Sequence, residues 1–433
     1  MIAAVTLVIP YTSADWATVV PAFAVAATAL VVLVADLLVP RRSRRLVSIL
    51  LGILGLAASG ANAALQWGHP VVAFGGAFVT GGFTLVFEEI VLLAAALTLL
   101  LCYRLGREDQ SASGIALLLW SASGAMLMAG AGNLLMVFLG LELLSLALYC
   151  LCGLASRGGA REAALKYLIL SSTATGFMLY GMALLFGATG SVSLAALAGP
   201  TVSQPLYIFG AGLFLIGLAF KLSLAPFHVW TPDVYEGAPL PVTAFMSIVT
   251  KAGALAVFAR FAYAALGSHL APAVLAPMWA VAALSMIVGN VGALAQTDMK
   301  RLLAYSGIAQ LGYVITALAG TTPLGMRYAI FYLAAYTFMN LGAFAVVALL
   351  SREHEEGSHL GAYAGLGYRR PLLAAAMTVF LLALAGLPPT AGFTAKILIL
   401  ASSVAAGYAW LAAFLIIGTA ISIYVYLKVV WTM

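Results

Sequence analysis

Apolar runs of twenty or more residues recur along this 433-residue chain from one end to the other. Each is long enough to cross a hydrocarbon layer of roughly 30 Å. Asp, Glu, Lys and Arg supply only 8% of the residues, against 64% from AVILMFWYC. A soluble domain carries about 25% charged residues, so no water-facing surface can be built from this composition. Inside lipid every backbone N–H and C=O must be satisfied within the protein, which a lone helix achieves and an open strand does not. The expected fold class is therefore all-α, a polytopic membrane protein.

Breaks between the runs place thirteen spans at about 16–39, 46–66, 83–103, 113–130, 133–153, 163–187, 206–226, 241–264, 273–295, 301–319, 325–350, 372–403 and 408–430. The longest connections are 188–205, 227–240 and 351–371, too short for a soluble domain. Basic residues fix the orientation. Arg41, Arg42, Arg44, Arg45, Arg104, Arg107, Arg157, Arg161, Lys300, Arg301, Arg352, Arg369, Arg370 and Lys428 all fall at one end of the spans, and only Arg260 and Arg327 approach the other. By the positive-inside rule the N-terminus is outside and residue 433 cytoplasmic. A miscounted span would have scrambled that alternation.

Several features carry little chemistry. MIAAVTLVIPYTSADW has no basic region ahead of its apolar stretch, so it does not read as a cleaved signal. Cys102, Cys150 and Cys152 read as small apolar helix residues, with no neighbouring His or Cys to complete a metal set. GAGLFLIG at 210–217 lies inside an apolar span with the wrong spacing for a dinucleotide loop. REHEEGSH at 352–359 holds Glu353, His354, Glu355, Glu356 and His359, and reads as a solvated loop rather than a metal site. Neither a nucleotide site nor a cluster-ligating cysteine set is present, so any redox chemistry belongs to partners.

Of the basic residues, four lysines remain within the spans, Lys166, Lys221, Lys251 and Lys396, and Glu142 joins them from span 5. An ion at mid-membrane costs at least about 2.5–3.5 kcal/mol on insertion scales, so such residues are functional candidates by default. Glu142 shares a helical face with Ser145 and Tyr149, and Lys251 shares one with Thr243 and Ser247, a polar stripe that suggests a hydrated path. A structural ion pair is the alternative for both. Lys166 is nearer an end and four residues after Glu162, so an ordinary i,i+4 pair or a snorkelling side chain is equally open.

Lys221 and Lys396 each sit in a span broken by proline, at Pro226 and at Pro388 and Pro389. Proline removes an intrahelical hydrogen bond, and such breaks at membrane depth are tolerated where the freed backbone lines a protein-buried or watery cavity. The breaks fall in spans 7 and 12. An offset of five spans places two related units in opposite directions, the pattern of inverted-repeat transporters. The expected organisation is a three-span segment over 1–110, a first five-helix repeat over 111–267 and a second over 268–433, although no residue-level self-similarity is visible.

An isolated lysine titrates near about 10.4, and desolvation lowers that by up to roughly 3–5 units. At an effective dielectric of about 20, a carboxylate at roughly 4 Å favours the charged lysine by about 4 kcal/mol. Opening or closing a Glu–Lys pair therefore moves a lysine between holding and releasing its proton. Moving one charge through 100 mV takes about 2.3 kcal/mol, the same order of size.

The segments LALYCLCGLASRGGAREAALKYLILSSTATGFMLYGMALLFGATGS, FKLSLAPFHVWTPDVYEGAPLPVTAFMSIVTKAGALAVFARF, NVGALAQTDMKRLLAYSGIAQLGYV and LAGLPPTAGFTAK resemble the antiporter-like membrane subunits of bacterial NADH:quinone oxidoreductase (complex I). The likeness covers nearly everything from span 4 onward, and TPDVYEGAP is more particular to subunit N and its chloroplast-type relative. The lysine and broken-helix pattern is shared with subunits of multisubunit Na⁺/H⁺ antiporters, which is the alternative.

The resemblance implies proton translocation driven by electron transfer from NADH to quinone in other subunits, within a bacterial inner membrane. It implies Glu142 and Lys221 as the charge pair on the uptake side. Lys166 and Lys251 would be central relay positions, His228 a bridge toward the axis, and Lys396 the exit lysine. Where the family often has His, this chain has Gln310, so a relay there would run through water or Tyr305. No cofactor is expected on this chain; NADH, FMN, iron–sulfur clusters and quinone belong to partner subunits. The implied partners are membrane-arm and peripheral-arm subunits, the lipid bilayer and protons, with no nucleic acid. The family usually has fourteen helices and this chain stops after span 13 at VVWTM, so either the last helix is missing or the tail diverges.

Overall fold

A computed structural model describes residues 11–105, 111–155, 158–198, 203–265, 271–351 and 358–433. Arg107, Arg157, Arg352, Glu353, His354, Glu355 and Glu356 lie outside the described residues, so most of the REHEEGSH stretch is not placed. Thirteen crossing elements follow the order expected from sequence. The first six are α1 (Ser13–Leu38), α2 (Arg44–Leu65), α3 (Gly82–Leu105), α4 (Ala112–Gly130), α5 (Leu134–Gly153) and α6 (Gly158–Thr189).

The seventh is split into α7 (Gln204–Lys221) and α8 (Trp230–Gly237). Then come α9 (Leu240–Ala265), α10 (Ala271–Leu294), α11 (Met299–Ala317) and α12 (Pro323–Ser351). After the short α13 (Leu366–Arg369), the twelfth crossing is split into α14 (Pro371–Ala385) and α15 (Ala391–Ala405), and α16 (Ala409–Thr432) ends the chain. Eleven of these helices are each long and apolar enough to cross a membrane alone. The split α14/α15 and the more polar α11 complete the set.

The breaks are wider than the proline positions alone suggest. Span 7 was expected to run as helix to 226, but α7 ends at Lys221, and residues 222–229 form turns before α8 begins inside the expected connection. The freed groups find new partners, as they must in a dry interior. Ser285 of α10 accepts from the Ala225 amide at 2.8 Å, and the Trp230 indole donates to the Phe220 carbonyl at 3.0 Å. At the second break Gly386 ends α14 in the left-handed region (φ +79), and Thr390 caps α15 by accepting from the Phe393 amide. Side chains take the carbonyls of Leu384 and Ala385, as set out below. The connections also hold structure that the sequence left blank. The antiparallel hairpin of β1 (Val71–Ala73) and β2 (Phe78–Thr80) turns through Gly75 and Gly76, both at positive φ.

Helices α4–α9 and α10–α16 form two units that start from opposite ends of the bundle and pack in the same order. The first and second helices of each unit lie together (α4 on α5, α10 on α11), and the third packs on the broken one (α6 on α7, α12 on α14 and α15). The last packs on the first (α9 on α4, α16 on α10). Glycines make the closest of these approaches, the usual device where lipid supplies no hydrophobic drive between helices. Gly124 abuts Gly140 and Leu144; Gly289 abuts Tyr305 and Ala309 at the same sequence spacing. Within that register Glu142 of the first unit corresponds to Gly307 of the second. Helix α9 is buried along its whole membrane window, whereas α6 turns Leu165, Ile169, Phe177 and Tyr180 outward as a lipid face.

Candidate functional site: a row of buried lysines

Lys221 is the last residue of α7 and is 2% exposed. Its ammonium donates to Ser145 Oγ of α5 and Ser171 Oγ of α6, each at 2.7 Å. The Tyr167 and Tyr149 rings lie 5.2 and 5.7 Å from it, within cation–π range. The helical face read from Glu142 through Ser145 to Tyr149 thus meets Lys221. Glu142 itself is half-buried, and among the described residues no carboxylate comes within 4.0 Å of the Lys221, Lys251 or Lys396 ammonium. From Tyr167 a stack of rings runs through Trp230 (4.8 Å) toward Tyr235 (6.3 Å) on α8.

Lys251 sits midway along α9, fully buried, with its ammonium between the rings of Tyr235 (5.9 Å) and Tyr336 (5.6 Å). Lys251 Nζ, Tyr235 Oη, Tyr336 Oη and Asn340 Oδ1 are all buried without a hydrogen-bond partner among the described residues. Gly307 makes the room for this side chain, since a Cβ there would stand 2.5 Å from Lys251 Nζ. The Thr243–Ser247 stripe faces the same way. Thr243 donates to the Tyr235 carbonyl, and Ser247 accepts from Asn340 at 2.6 Å.

Lys396 lies on α15, beyond the second break, whereas Lys221 precedes the first. Its ammonium donates to the freed carbonyls of Leu384 (3.0 Å) and Ala385 (2.9 Å) and lies 4.8 Å from the Tyr313 ring. The Leu384 carbonyl also accepts from Gln310 Nε2 at 3.0 Å. Gln310 in turn bonds Tyr332 through its oxygen and Tyr426 through its nitrogen, and Tyr426 pairs with Ser306 at 2.6 Å. Between Lys251 and Lys396 the interior is therefore lined by Tyr336, Tyr332, Gln310 and Tyr426.

Two expected positions stand elsewhere. Tyr305 is half-buried against Gly289 and Gly292 of α10, on the side of His228, whose ring centroid is 6.3 Å away and whose Nδ1 is buried without a partner. Lys166 is outside the buried row. Its ammonium, on a side chain 43% exposed, pairs with Glu162 at 2.8 Å and Asp233 at 3.1 Å. Asp233 also meets Arg301 of the second unit at 2.8 Å, and Arg301 meets Glu236 at 2.6 Å. Together with Lys300 these line a cavity of about 590 Å³ at the arginine-rich end. TPDVYEGAP thus supplies both acids, Asp233 and Glu236, of a bridge between the units.

Burial alone would raise the Asp233 carboxyl, but hydrogen bonds from Arg301 and Lys166, with their charges, outweigh it and hold it below its ordinary value. A lowered folded value means that the stabilisation is fully present above the ordinary carboxylate value of about 3.9 and fades as pH falls through the folded one. Asp233→Asn is expected to lower the thermal unfolding midpoint by the same amount from pH 8 to pH 5, converging with the parent only in stronger acid. Convergence already by pH 6 would show that the bridge is not formed.

Sequence reading missed Tyr332, Tyr336 and Asn340. They sit at i, i+4 and i+8 in FYLAAYTFMN, one face of α12, and the signal was present. Tyrosine, counted as apolar, hid it. Glu88 of α3 was also missed. Among the described residues no group of three His, Cys, Asp or Glu could hold a metal.

Two units of opposite direction, each with a broken helix and a buried lysine beside the break, define a multi-pass membrane protein of the antiporter-like class. The family described as "NADH:quinone oxidoreductase/Mrp antiporter, TM" matches residues 131–422. The chain is 41% identical to NADH-quinone oxidoreductase subunit N of Trichlorobacter lovleyi, covering 95% of this chain and 86% of the relative. It is 43% identical to NADH-quinone oxidoreductase subunit N 1 of Symbiobacterium thermophilum, with the same coverage. A chain of the respiratory complex I structure from Thermus thermophilus with bound aureothin superposes with a TM-score of 0.81 at 37% identity, covering 95% of this chain and 89% of that one. The chain belongs to the subunit N family of NADH-quinone oxidoreductases.

Proposed function

We propose that this chain is the proton-translocating, antiporter-like membrane subunit of a bacterial NADH:quinone oxidoreductase, with NADH, FMN, iron–sulfur clusters and quinone held by its partner subunits. What carries the reading is the row of Lys221, Lys251 and Lys396, each buried and, among the described residues, each without a carboxylate at ion-pair distance. A charge held only by hydroxyls, carbonyls and ring faces keeps or loses its proton according to small movements of its surroundings. Buried polar atoms such as those around Lys251 are partners for internal water, which with the tyrosines can pass a proton along the row.

In this reading Glu142 and Lys221 are the uptake pair, Lys251 the central relay and Lys396 the exit. His228 and Tyr305 form a side branch toward the axis, and Lys166 acts from the cytoplasmic cavity. Pro226, Pro388 and Pro389 hold the breaks open. The working division is 1–110, 111–267 and 268–433, in the bacterial inner membrane, with the N-terminus outside and residue 433 cytoplasmic. The alternative, a subunit of a multisubunit Na⁺/H⁺ antiporter, shares the matched family, but the relatives at 41% and 43% identity reported above carry the subunit N name. Co-purification with NADH-oxidising subunits separates the two.

Lys396 tests the direction of travel. A terminal relay needs only a group that binds and releases a proton, so Lys396→Glu is expected to retain partial pumping. Lys396→Leu, with no titratable group, is expected to block it. Proton uptake per NADH oxidised in reconstituted vesicles is the measurement, at matched assembly. Equal pumping by Lys396→Leu and the parent would remove Lys396 from the path.

A further inference from the structure

Helix α3 carries a second buried charge site, apart from the lysine row. Glu88 is 1% exposed, and among the described residues neither of its carboxylate oxygens has a hydrogen-bond partner. Helices α2, α4, α9 and α12 and strand β2 pack against α3. Neither α4 nor β2 offers a titratable side chain. In α2 the only ones are Arg44 and Arg45 at the far end, where Arg45 donates to the carbonyls of Cys102 and Tyr103.

In α12, Arg327 is exposed and Tyr328 half-buried, while Tyr332 and Tyr336 are turned to Gln310 and Lys251. In α9, Lys251 is turned to Tyr235 and Tyr336, and Tyr263 donates to the Thr322 carbonyl. That leaves Arg260. It donates to Thr84 Oγ1 at 2.6 Å, the Ala129 carbonyl at 2.9 Å and the Val79 carbonyl at 3.3 Å, and lies 4.9 Å from the Phe83 ring centroid. Thr84 is one helical turn before Glu88 on the same face. A half-buried arginine on neutral acceptors thus stands one turn from a buried acid on none, without an ion pair between them among the described residues.

We propose that Glu88 is a proton-binding site on α3, and that Arg260 is the cation whose position decides whether the proton stays. A bare carboxylate with neither donor nor counter-charge is the costliest state for such a place, and the neutral acid is the one that fits it. With the proton bound, Arg260 rests on Thr84 and the two carbonyls. When the Glu88 O–H gives up its proton, the guanidinium moves one turn along α3 to pair with the carboxylate. Glu89, the next residue, is exposed and lines a cavity of about 410 Å³ with Gly60, Ala64, Leu85 and Trp67, through which the proton can leave. The site rests on the burial of α3 and not on the lysine row, so its failure leaves the proposed function untouched.

The test is infrared spectroscopy of the assembled complex in lipid at neutral pH, in H₂O and D₂O. The parent should show a deuterium-sensitive C=O stretch of a protonated carboxyl. Glu88→Gln should lose it, Glu89→Gln should keep it, and Glu88→Gln, a neutral isostere of the acid, should unfold at the parent's temperature. A band that persists in Glu88→Gln overturns the proposal, as does loss of the band in Glu89→Gln alone. A Glu88→Gln protein that fails to fold or melts much earlier also overturns it, because the charge would then be holding the structure. Loss of the parent's band on adding Na⁺ at constant pH would mean that a metal cation, not a proton, is bound.

Discussion

A complex carrying Lys221→Ala is expected to assemble and oxidise NADH yet move no protons through this chain. The ammonium donates to both Ser145 and Ser171, and a hydrogen bond to a charged group contributes about 1.5–3 kcal/mol. Its loss removes both the charge and the contact that joins α5, α6 and α7 at the first break. At about 1.4 kcal/mol per factor of ten, losing either bond slows a step that depends on it by at least roughly tenfold. Lys221→Arg separates charge from titration. Arginine keeps the positive charge, and its pKa above about 12 prevents it from releasing a proton at any working pH. The Arg variant should therefore assemble better than Ala and pump no more. Parent-level pumping by Lys221→Arg, measured as proton uptake per NADH, would refute a titrating role.

The second large effect is expected where nothing titrates. Gly307→Val places a Cβ 2.5 Å from Lys251 Nζ and 2.9 Å from Tyr336 Oη, distances that real Cβ contacts do not adopt. The lysine end is flexible, so it gives way and leaves the Tyr235–Tyr336 pair. Gly307→Ala is the milder form. Replacing Gly by Ala within a helix favours the helix by about 1 kcal/mol, so Gly307→Ala should melt no earlier than the parent while its pumping falls as far as that of Lys251→Met. That split between stability and transport would not arise if Lys251 merely held helices together. Undiminished pumping by both Gly307 variants would remove Lys251 from the path.

Much of the architecture was legible because its causes are local. Span length, the scarcity of charge and the basic residues at alternate ends follow from the solvent the chain must meet, and the thirteen crossings appear where the apolar runs placed them. The proline breaks were legible too, since an amide without a hydrogen cannot continue a helix. Their extent was not. Where α7 stops depends on Ser285, 60 residues further along the chain and in the other unit, accepting the Ala225 amide. Likewise Gln310 read only as a residue that cannot titrate. Its hydrogen bonds to Leu384, Tyr332 and Tyr426 exist only once α11, α12, α14 and α16 are packed.

The repeat gives the same lesson from the other direction. No identity between the units could be seen in the sequence, because packing constrains spacing and size more than residue type. The Gly124–Gly140 and Gly289–Tyr305 approaches show the common register in space. By itself the sequence determined that this protein lives in a bilayer, how many times it crosses, which end of the bundle is basic and that lysines lie within the spans, because hydrophobicity and helix breaking act over neighbouring residues. Only the tertiary structure decided that Lys221 rests on two serines, that Lys251 fills the space left by Gly307, that Lys396 is held by carbonyls freed at a break, and that Lys166 belongs to a surface bridge. Those placements depend on side chains from helices far apart in sequence, and no local rule reports which faces will meet.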